Sequence, residues 1–210
     1  MKTQPNFSAL LQAFFTGRLL EQRNASPHTI ASYRDTFRLL LEFAQKQLHK
    51  SPSMLTIENL DAPFIGRFLN HLENDRGNTP RSRNIRLAAI HSFFKYVAAQ
   101  EPSLSSVAQQ VLAIPSKRHK TRPIDFLTGP EMDALLAAPD QRTYLGRRDR
   151  TLLLVAAQTG LRASELIGLC CQDVSLGIGA HVRCTGKGRK QRCTPLRNDA
   201  VAVLRAWMRE

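Results

Sequence analysis

The sequence lacks the signals that would assign it to a membrane, secreted or metal-dependent protein. No apolar run reaches the roughly eighteen residues that a membrane-spanning helix needs, and the first residues lack the apolar stretch of a signal peptide. The four cysteines lie between Cys170 and Cys193 without a C-x-x-C pair, and the six histidines form no pair four residues apart. These absences favour a cytoplasmic protein without disulfides, metal or a membrane partner.

Acidic residues are also scarce, and this is the strongest compositional signal. The 210 residues hold 17 Asp and Glu against 30 Lys and Arg, a formal net charge of +13. Residues 76–100 and 174–198 contain no acid, and a third basic stretch covers residues 117–122. One such cluster is equally consistent with a solvated surface. Three in one chain favour a polyanion, because binding to a phosphate backbone needs several cations directed at it.

Residues 1–114 carry the pattern of a small helical bundle without strands. One helix is predicted over residues 7–22, and later helices begin where a capping residue precedes a proline, at Ser26-Pro27, Asp61 with Pro63, and Thr79-Pro80. For the helix after Thr79, spacing predicts a buried face of Ile85, Ala89, Ile90, Phe93, Phe94 and Val97. The same spacing predicts an opposite, basic face of Arg81, Asn84, His91 and Lys95.

Residues 115–123 are predicted to be an exposed linker, since a basic run without apolar periodicity ends at a proline. Helical patterns return at residues 124–210. Thr128 and Glu131 match a capping box, and Gly160 is placed to end a helix that starts near Arg148. The chain is therefore expected to be mainly α-helical, with two domains separated by the linker.

After residue 170 the pattern changes to short strands, which predicts a small antiparallel sheet in the second domain. Val174, Ile178, Val182 and Cys184 indicate strands, residues 186–190 a hairpin turn, and residues 192–196 the returning strand. Cys184 and Cys193 are expected as cross-strand neighbours. Asn198 is expected to cap a last helix over residues 200–208 with an exposed apolar face, including Val201, Leu204 and Trp207.

Three residues of this second domain are candidates for chemistry. Arg162 follows Gly160 at the start of a helix, where a guanidinium can grip phosphate oxygens, and Glu165 lies one turn further on. Lys187 stands between two glycines at the hairpin tip, where an ammonium can protonate a leaving oxygen. From spacing alone, an ordinary surface pair of Arg162 with Glu165 and a plain solvated turn at Lys187 remain open.

Taken together, these motifs closely resemble those of the tyrosine recombinase (phage integrase) family. The resemblance rests on residues 159–166, Thr-Gly-Leu-Arg-Ala-Ser-Glu-Leu, followed by the hairpin at residues 186–196. Upstream, residues 26–33 match the Ser-x-x-Thr-x-x-x-Tyr helix start of the family's core-binding domain. The resemblance implies a SAM-like helical core-binding domain over residues 1–114 and a partial α+β catalytic domain over residues 124–210.

The resemblance also implies site residues, a partner and a reaction. Arg162 would bind the scissile phosphate, Glu165 would support the site, and Lys187 would protonate the leaving 5′ oxygen. Double-stranded DNA would be the partner, without a cofactor, and self-association on paired sites would accompany recombination or integration of a mobile element. Together with the basic clusters it implies DNA contacts by Thr29, Ser32, Arg81, Arg83, Asn84, Arg86, His91, Lys95, Lys117, Arg118, Lys120, Arg122, Arg189 and Lys190.

The family's remaining catalytic residues are a His-x-x-Arg pair, a later His or Trp, and the tyrosine nucleophile. None of the residues after Lys187 is His or Tyr, and the tyrosines at positions 33, 96 and 144 all precede Arg162. The chain is therefore expected to be catalytically incomplete by itself. A non-catalytic DNA-binding regulator or competitor is the alternative. A general RNA-binding protein is a weaker one, because the predicted strands lack aromatic residues for base stacking.

Overall fold

A computed structural model describes residues 6–120, 124–186, 188 and 190–210. Within these ranges the chain is mainly helical, with a three-stranded antiparallel sheet, which confirms the expected fold class. Contacts divide the chain into two compact units, unit 1 (residues 1–122) and unit 2 (residues 123–210). None of the helices in the described ranges has the length and apolar character needed to span a bilayer.

The described part of unit 1 is helical throughout its regular structure. Its longer elements are α1 (Phe7–Ala13), a π-helical segment (Phe14–Gln22), α2 (Pro27–Leu48), α3 (Ala62–Asn74), α4 (Pro80–Gln100) and α5 (Ser105–Leu112). The single helix predicted over residues 7–22 therefore changes type at Phe14. The wider turn is visible at its end, where the Arg23 amide donates to the Arg18 carbonyl five residues back at 3.1 Å.

The helix starts of unit 1 follow the capping signals of the sequence. The Ser26 hydroxyl accepts from the Thr29 amide at 3.3 Å, and the Thr79 hydroxyl accepts from the Ser82 amide at 3.2 Å. The Asp61 carboxylate does the same for the Phe64 amide at 2.8 Å. Each cap satisfies an amide that has no partner in the helix itself, so the predicted starts hold to within a residue.

An aromatic cluster forms the centre of unit 1. Phe93 on α4 meets Phe37 on α2 with ring centroids 5.2 Å apart and Phe14 of the π-helical segment at 5.5 Å. These side chains are at most 2% exposed. The predicted buried face of α4 is corrected at one position: Ile85 is 50% exposed, and Leu87 is buried instead.

Unit 2 combines helices with the small sheet. Its elements are α6 (Gly129–Ala137), α7 (Tyr144–Thr159), α8 (Ala163–Ile167), β1 (Val174–Ser175), β2 (His181–Thr185), β3 (Gln191–Pro195) and α9 (Asn198–Trp207). The sheet order is β1-β2-β3, antiparallel throughout. The capping box of Thr128 and Glu131 is present. Helix α7 begins at Tyr144, earlier than predicted, because the Thr143 hydroxyl caps it through the Gly146 amide at 3.0 Å.

Expectations about the strands of unit 2 are corrected by the register of the sheet. Cys184 pairs with Arg192, and Cys193 pairs with Arg183, so the two cysteines are not directly opposite each other. They also differ in environment, since Cys184 is buried and Cys193 is exposed. Ile178 lies outside the strands and is fully exposed.

The last helix also differs from its prediction. The residue at the cap of α9 is Arg197 rather than Asn198, which is already helical. Val201 and Leu204, which were expected to be exposed, are each only 9% exposed in the core of unit 2. Trp207 contacts Tyr144 with ring centroids 4.8 Å apart, so the start of α7 covers part of this face.

Candidate active site and nucleic-acid interface

The turn between α7 and α8 places Arg162 at the surface of unit 2. Gly160 ends α7 with a φ of 59°, a left-handed conformation that glycine adopts without strain, and its amide donates to the Ala156 carbonyl at 3.0 Å. Leu161 is only 8% exposed and anchors the turn in the core. Arg162 then takes an extended backbone at the cap of α8, and its side chain is 64% exposed. A phosphate group can therefore reach the guanidinium.

Glu165 holds Arg162 in two ways. Its carboxylate accepts from the Arg162 backbone amide at 2.8 Å and from Arg162 Nη1 at 3.0 Å. The Glu165 side chain is only 5% exposed. An ordinary surface pair would leave both partners solvated, so that interpretation does not describe this carboxylate.

Arg192 is a further member of this cluster that the sequence did not single out. Its Nη2 donates to Glu165 Oε2 at 2.8 Å, so one carboxylate bridges the start of α8 and strand β3. Because Arg192 pairs with the buried Cys184 in the register, it lies on the inward face of the hairpin. The period-two alternation of the strand could have indicated this face, but not the partner on α8.

The electrostatics of the cluster keep the carboxylate ionised. The pKa of Glu165 is lowered, first by the hydrogen bond from the Arg162 backbone amide and then by the side-chain hydrogen bond from Arg162 and the charge of Arg192, against the opposing effect of burial. A carboxylate that stays charged near neutral pH fixes both guanidiniums. The arrangement presents Arg162 as a preorganised donor toward an oxyanion.

The base of the β2–β3 hairpin approaches the same carboxylate. A Cβ at Gly186 would lie 3.0 Å from Glu165 Oε1 and 3.6 Å from Arg192 Nη1, so glycine permits this close approach. The Gly186 amide donates to the Lys190 carbonyl at 2.8 Å and closes the turn. Lys187 and Arg189 lie outside the described residues, and Lys190 is exposed. In the described ranges, no three His, Cys, Asp or Glu side chains gather as metal ligands.

On unit 1, several of the expected DNA contacts are accessible. Thr29, Arg81, Lys95, Arg118 and Lys120 are exposed, whereas Arg122 lies outside the described residues. Ser32 is half-buried, and its carbonyl accepts a hydrogen bond from Arg86 Nη1 at 3.0 Å. The exposed residues remain candidates for contact with a phosphate backbone.

The expectation of an exposed cation is wrong for Arg83. This residue is only 6% exposed, and its Nη1 donates to the Pro115 carbonyl and to Asn84 Oδ1, each at 3.2 Å. Its Nε lies 3.7 Å from the carboxylate of Glu73. The guanidinium therefore joins α3, α4 and the segment after α5, and its role is structural.

Asn84 and Lys117 belong to the same network. The Asn84 amide group donates to the Lys117 carbonyl at 2.7 Å and accepts from the Lys117 amide at 3.0 Å. Lys117 Nζ lies 2.6 Å from Glu73 Oε2. Residues 115–120 of the predicted linker are exposed, as expected, and hydrogen bonds attach the linker to unit 1 as far as Lys117.

Arg86 and His91 also contact other helices of unit 1. Arg86 Nη1 donates to Thr36 on α2 as well as to the Ser32 carbonyl, and His91 Nε2 is 3.1 Å from the Val111 carbonyl on α5. The pKa of His91 is lowered, chiefly by burial and further by the charges of Lys95 and Arg83. Both side chains therefore take part in helix packing, and their expected DNA contacts stay predictions.

Comparison with known proteins adds family matches on both units. The model of the phage integrase N-terminal SAM-like domain matches residues 12–101, and the phage integrase family model matches residues 125–210. Putative integrase/recombinase y4rC of Sinorhizobium fredii is 57% identical over the whole chain, which spans 63% of that relative. Putative integrase/recombinase y4rD of the same organism is 48% identical over 96% of the chain and 72% of its own length. Tyrosine recombinase XerC of Myxococcus xanthus is 33% identical, with 97% of this chain and 64% of that protein covered.

Solved structures share the fold. The XerH site-specific recombinase bound to its palindromic difH substrate matches 96% of this chain and 56% of its own, with a TM-score of 0.65 and 20% identity. The Tn1549 transposon integrase in complex with a circular intermediate DNA matches 96% of this chain and 65% of its own, with a TM-score of 0.66 and 15% identity.

Proposed function

Because the chain belongs to the tyrosine recombinase (phage integrase) family, we propose that it binds duplex DNA through both units and presents Arg162 to the scissile phosphate. The observation that carries this proposal is the Glu165 carboxylate, which fixes Arg162 from its backbone and its side chain and leaves the guanidinium accessible. The exposed cations of unit 1 would supply the general attraction to the backbone.

The proposed chemistry assigns separate roles to the residues of the cluster. Arg162 would stabilise the negative charge that develops on the phosphate in the transition state. Glu165 positions Arg162, and Arg192 would hold Glu165 from the hairpin. A tyrosine hydroxyl would attack the phosphorus and lose its proton to a general base, a 3′-phosphotyrosine bond would form, and the bond to the 5′ oxygen would break. Lys187 would give the leaving oxygen its proton. Since the covalent link keeps the phosphodiester energy, the reaction needs no nucleotide cofactor.

We further propose that this polypeptide does not complete the reaction alone. The residues after Lys187 include neither His nor Tyr. Among the tyrosines present, Tyr33 and Tyr96 pack against the core of unit 1, and Tyr144 contacts Trp207. The nucleophile would therefore come from protein outside these 210 residues, within a longer chain or from another molecule.

A nicked trapping substrate tests this proposal. We expect the chain to retard the duplex in a native gel and to leave no covalent protein–DNA band after denaturation. A covalent band that disappears in Tyr33→Phe, Tyr96→Phe or Tyr144→Phe would overturn the proposed incompleteness. Failure to bind any duplex at low salt would overturn the DNA-binding function itself. Sedimentation with one or two binding sites per duplex would test self-association on paired sites.

A further inference from the structure

We propose that a cleft between the π-helical segment and the C-terminal half of α4 binds one backbone phosphate of duplex DNA. The cleft has a volume of about 180 Å³ and is lined by Arg18, Gln22, Arg23, Ser92, Lys95 and Tyr96 among others. The inference rests on the proposed DNA-binding function, and it adds Arg18 and Arg23 to the expected contacts. The inference also assigns one shared phosphate to Arg18, Arg23 and Lys95.

The charge of the cleft favours an oxyanion. Three of its lining residues are cationic, and none is acidic. The ion pairs found among the described residues occupy other cations of unit 1, such as Arg38 with Glu42 and Lys117 with Glu73, but none involves the three cations of the cleft. Cations gathered without a carboxylate repel one another, and a bound phosphate relieves that repulsion.

The backbone of the π-helical segment builds one wall of the cleft. Arg18 Nη1 donates to Gln22 Oε1 at 2.9 Å, which holds the guanidinium along the segment. The segment then closes through the Arg23 amide on the Arg18 carbonyl and the Ala25 amide on the Leu19 carbonyl, at 3.1 and 2.9 Å. These bonds fix Arg23 at the end of the segment, next to Arg18.

The other wall is fixed by the core of unit 1. Tyr96 contacts Phe14 with ring centroids 5.6 Å apart, and Ser92 is half-buried on the same side of α4. Lys95 lies between them in the sequence and is exposed. The hydroxyls of Ser92 and Tyr96 add neutral donors, so the cleft offers both charge and hydrogen bonds to a phosphate. Its volume leaves room for one phosphate group and a few waters.

The salt dependence of duplex binding tests whether one phosphate is shared. Each phosphate that a protein neutralises contributes about 0.9 to the slope of log affinity against log salt. We therefore expect the triple variant Arg18→Gln, Arg23→Gln, Lys95→Gln to lose about 0.9 of the slope. Between 50 and 200 mM salt, the affinity of both proteins falls, and the factor by which it falls would be about 3.5 times smaller for the triple variant than for the wild type. The reduction would be the same for duplexes of different sequence, because a phosphate contact reads no base.

Two other slopes would contradict the shared cleft. A loss of about 2.7 would mean three separate phosphates, and no loss would mean that the cleft does not contact DNA. Arg38→Gln, which removes an exposed cation paired with Glu42, is the matched control and should leave the slope unchanged.

The same measurements separate the cleft proposal from the proposed function. If the wild type binds duplex DNA but the triple variant does not show the slope loss of about 0.9, only the cleft proposal is contradicted. If the wild type does not bind duplex DNA, the proposed function falls with it. Thermal melting checks folding, and the triple variant Arg18→Met, Arg23→Met, Lys95→Met, with the same expected losses of about 0.9 against 2.7, replaces an unfolded glutamine variant.

Discussion

The two units bury their apolar residues to different degrees. The buried cluster of unit 1 is rich in phenylalanine, and Phe14, Phe68, Phe93 and Phe94 are completely buried. The described buried cluster of unit 2 contains no phenylalanine, and most of its members keep several per cent of their surface exposed. Unit 2 also has an apolar groove of about 160 Å³ beside Leu152, Leu166 and Trp207. We infer that unit 1 is the more stable unit, and that unit 2 carries the candidate chemistry on a weaker core.

Core truncations should give the largest effects and expose this difference. Phe93→Ala removes the centre of the aromatic cluster and should destabilise unit 1 by about 3–5 kcal/mol. Leu204→Ala in unit 2 should cost about 2 kcal/mol, the lower end for such changes, because the neighbouring groove allows the site to relax. Urea denaturation followed by separate probes for each unit measures both. Equal costs would contradict the comparison.

A smaller effect is expected at the segment that leaves unit 1. Asn84→Ala removes two hydrogen bonds to the Lys117 backbone, each worth about 1 kcal/mol. Trypsin should then cleave after Lys117 at least about fivefold faster, since local opening becomes more frequent. The matched control is Gln110→Ala on the exposed surface of α5, which should leave the rate unchanged. An unchanged rate in Asn84→Ala would mean that the network does not restrain the segment.

The smallest expected effect is a difference in the pH range over which each unit loses stability. The pKa of His91 is lowered from 6.5 in folded unit 1, so its unfolded form takes up a proton first as the pH falls. The stability that His91 contributes is therefore present above pH 6.5 and is lost below it, down to the folded-state value. Glu165 behaves in the same direction at lower pH: its contribution in unit 2 is present above 4.5 and is lost as the pH falls through its lowered pKa.

Melting curves between pH 8 and 5 test this separation. We expect unit 1 to lose more stability over this range in the wild type than in His91→Gln, which cannot titrate. The Glu165 contribution to unit 2 should remain constant over the same range. A wild type and a His91→Gln variant with parallel pH profiles would show that His91 carries no such contribution.

The sequence predicted local structure well where the signal is local. The capping pairs at Ser26, Asp61 and Thr79 placed three helix starts, and Gly160 placed the end of α7, because each depends on a few neighbouring atoms. The pattern was less informative about helix α7, whose start depends on a single threonine hydroxyl, that of Thr143, five residues before the predicted onset at Arg148.

Side-chain roles that depend on distant partners were not predictable from spacing. Helical periodicity placed Asn84 and His91 on one polar face, but it could not show that α5 and the following segment cover that face. The basic cluster and the family resemblance predict DNA contacts for Arg83 and Arg86, but neither signal shows that their hydrogen-bond partners lie 32 and 54 residues away. In the candidate site, the sequence motif predicts the pair Arg162 and Glu165. It does not predict the hydrogen bond from Arg192 to Glu165, because these two residues are 27 positions apart in the sequence.

The role of Arg162 at the scissile phosphate is tested most directly by comparing Arg162→Ala with the wild type on a duplex enriched by repeated selection for binding. Phosphate-ethylation interference maps which backbone phosphates each protein requires. We expect Arg162→Ala to lose the interference signal at a single phosphate, while overall affinity changes by less than about tenfold, since the other cations still supply the general attraction. Glu165→Gln should weaken the same signal. An unchanged interference map, or a uniform loss at all phosphates, would contradict the assignment of Arg162 to the scissile phosphate.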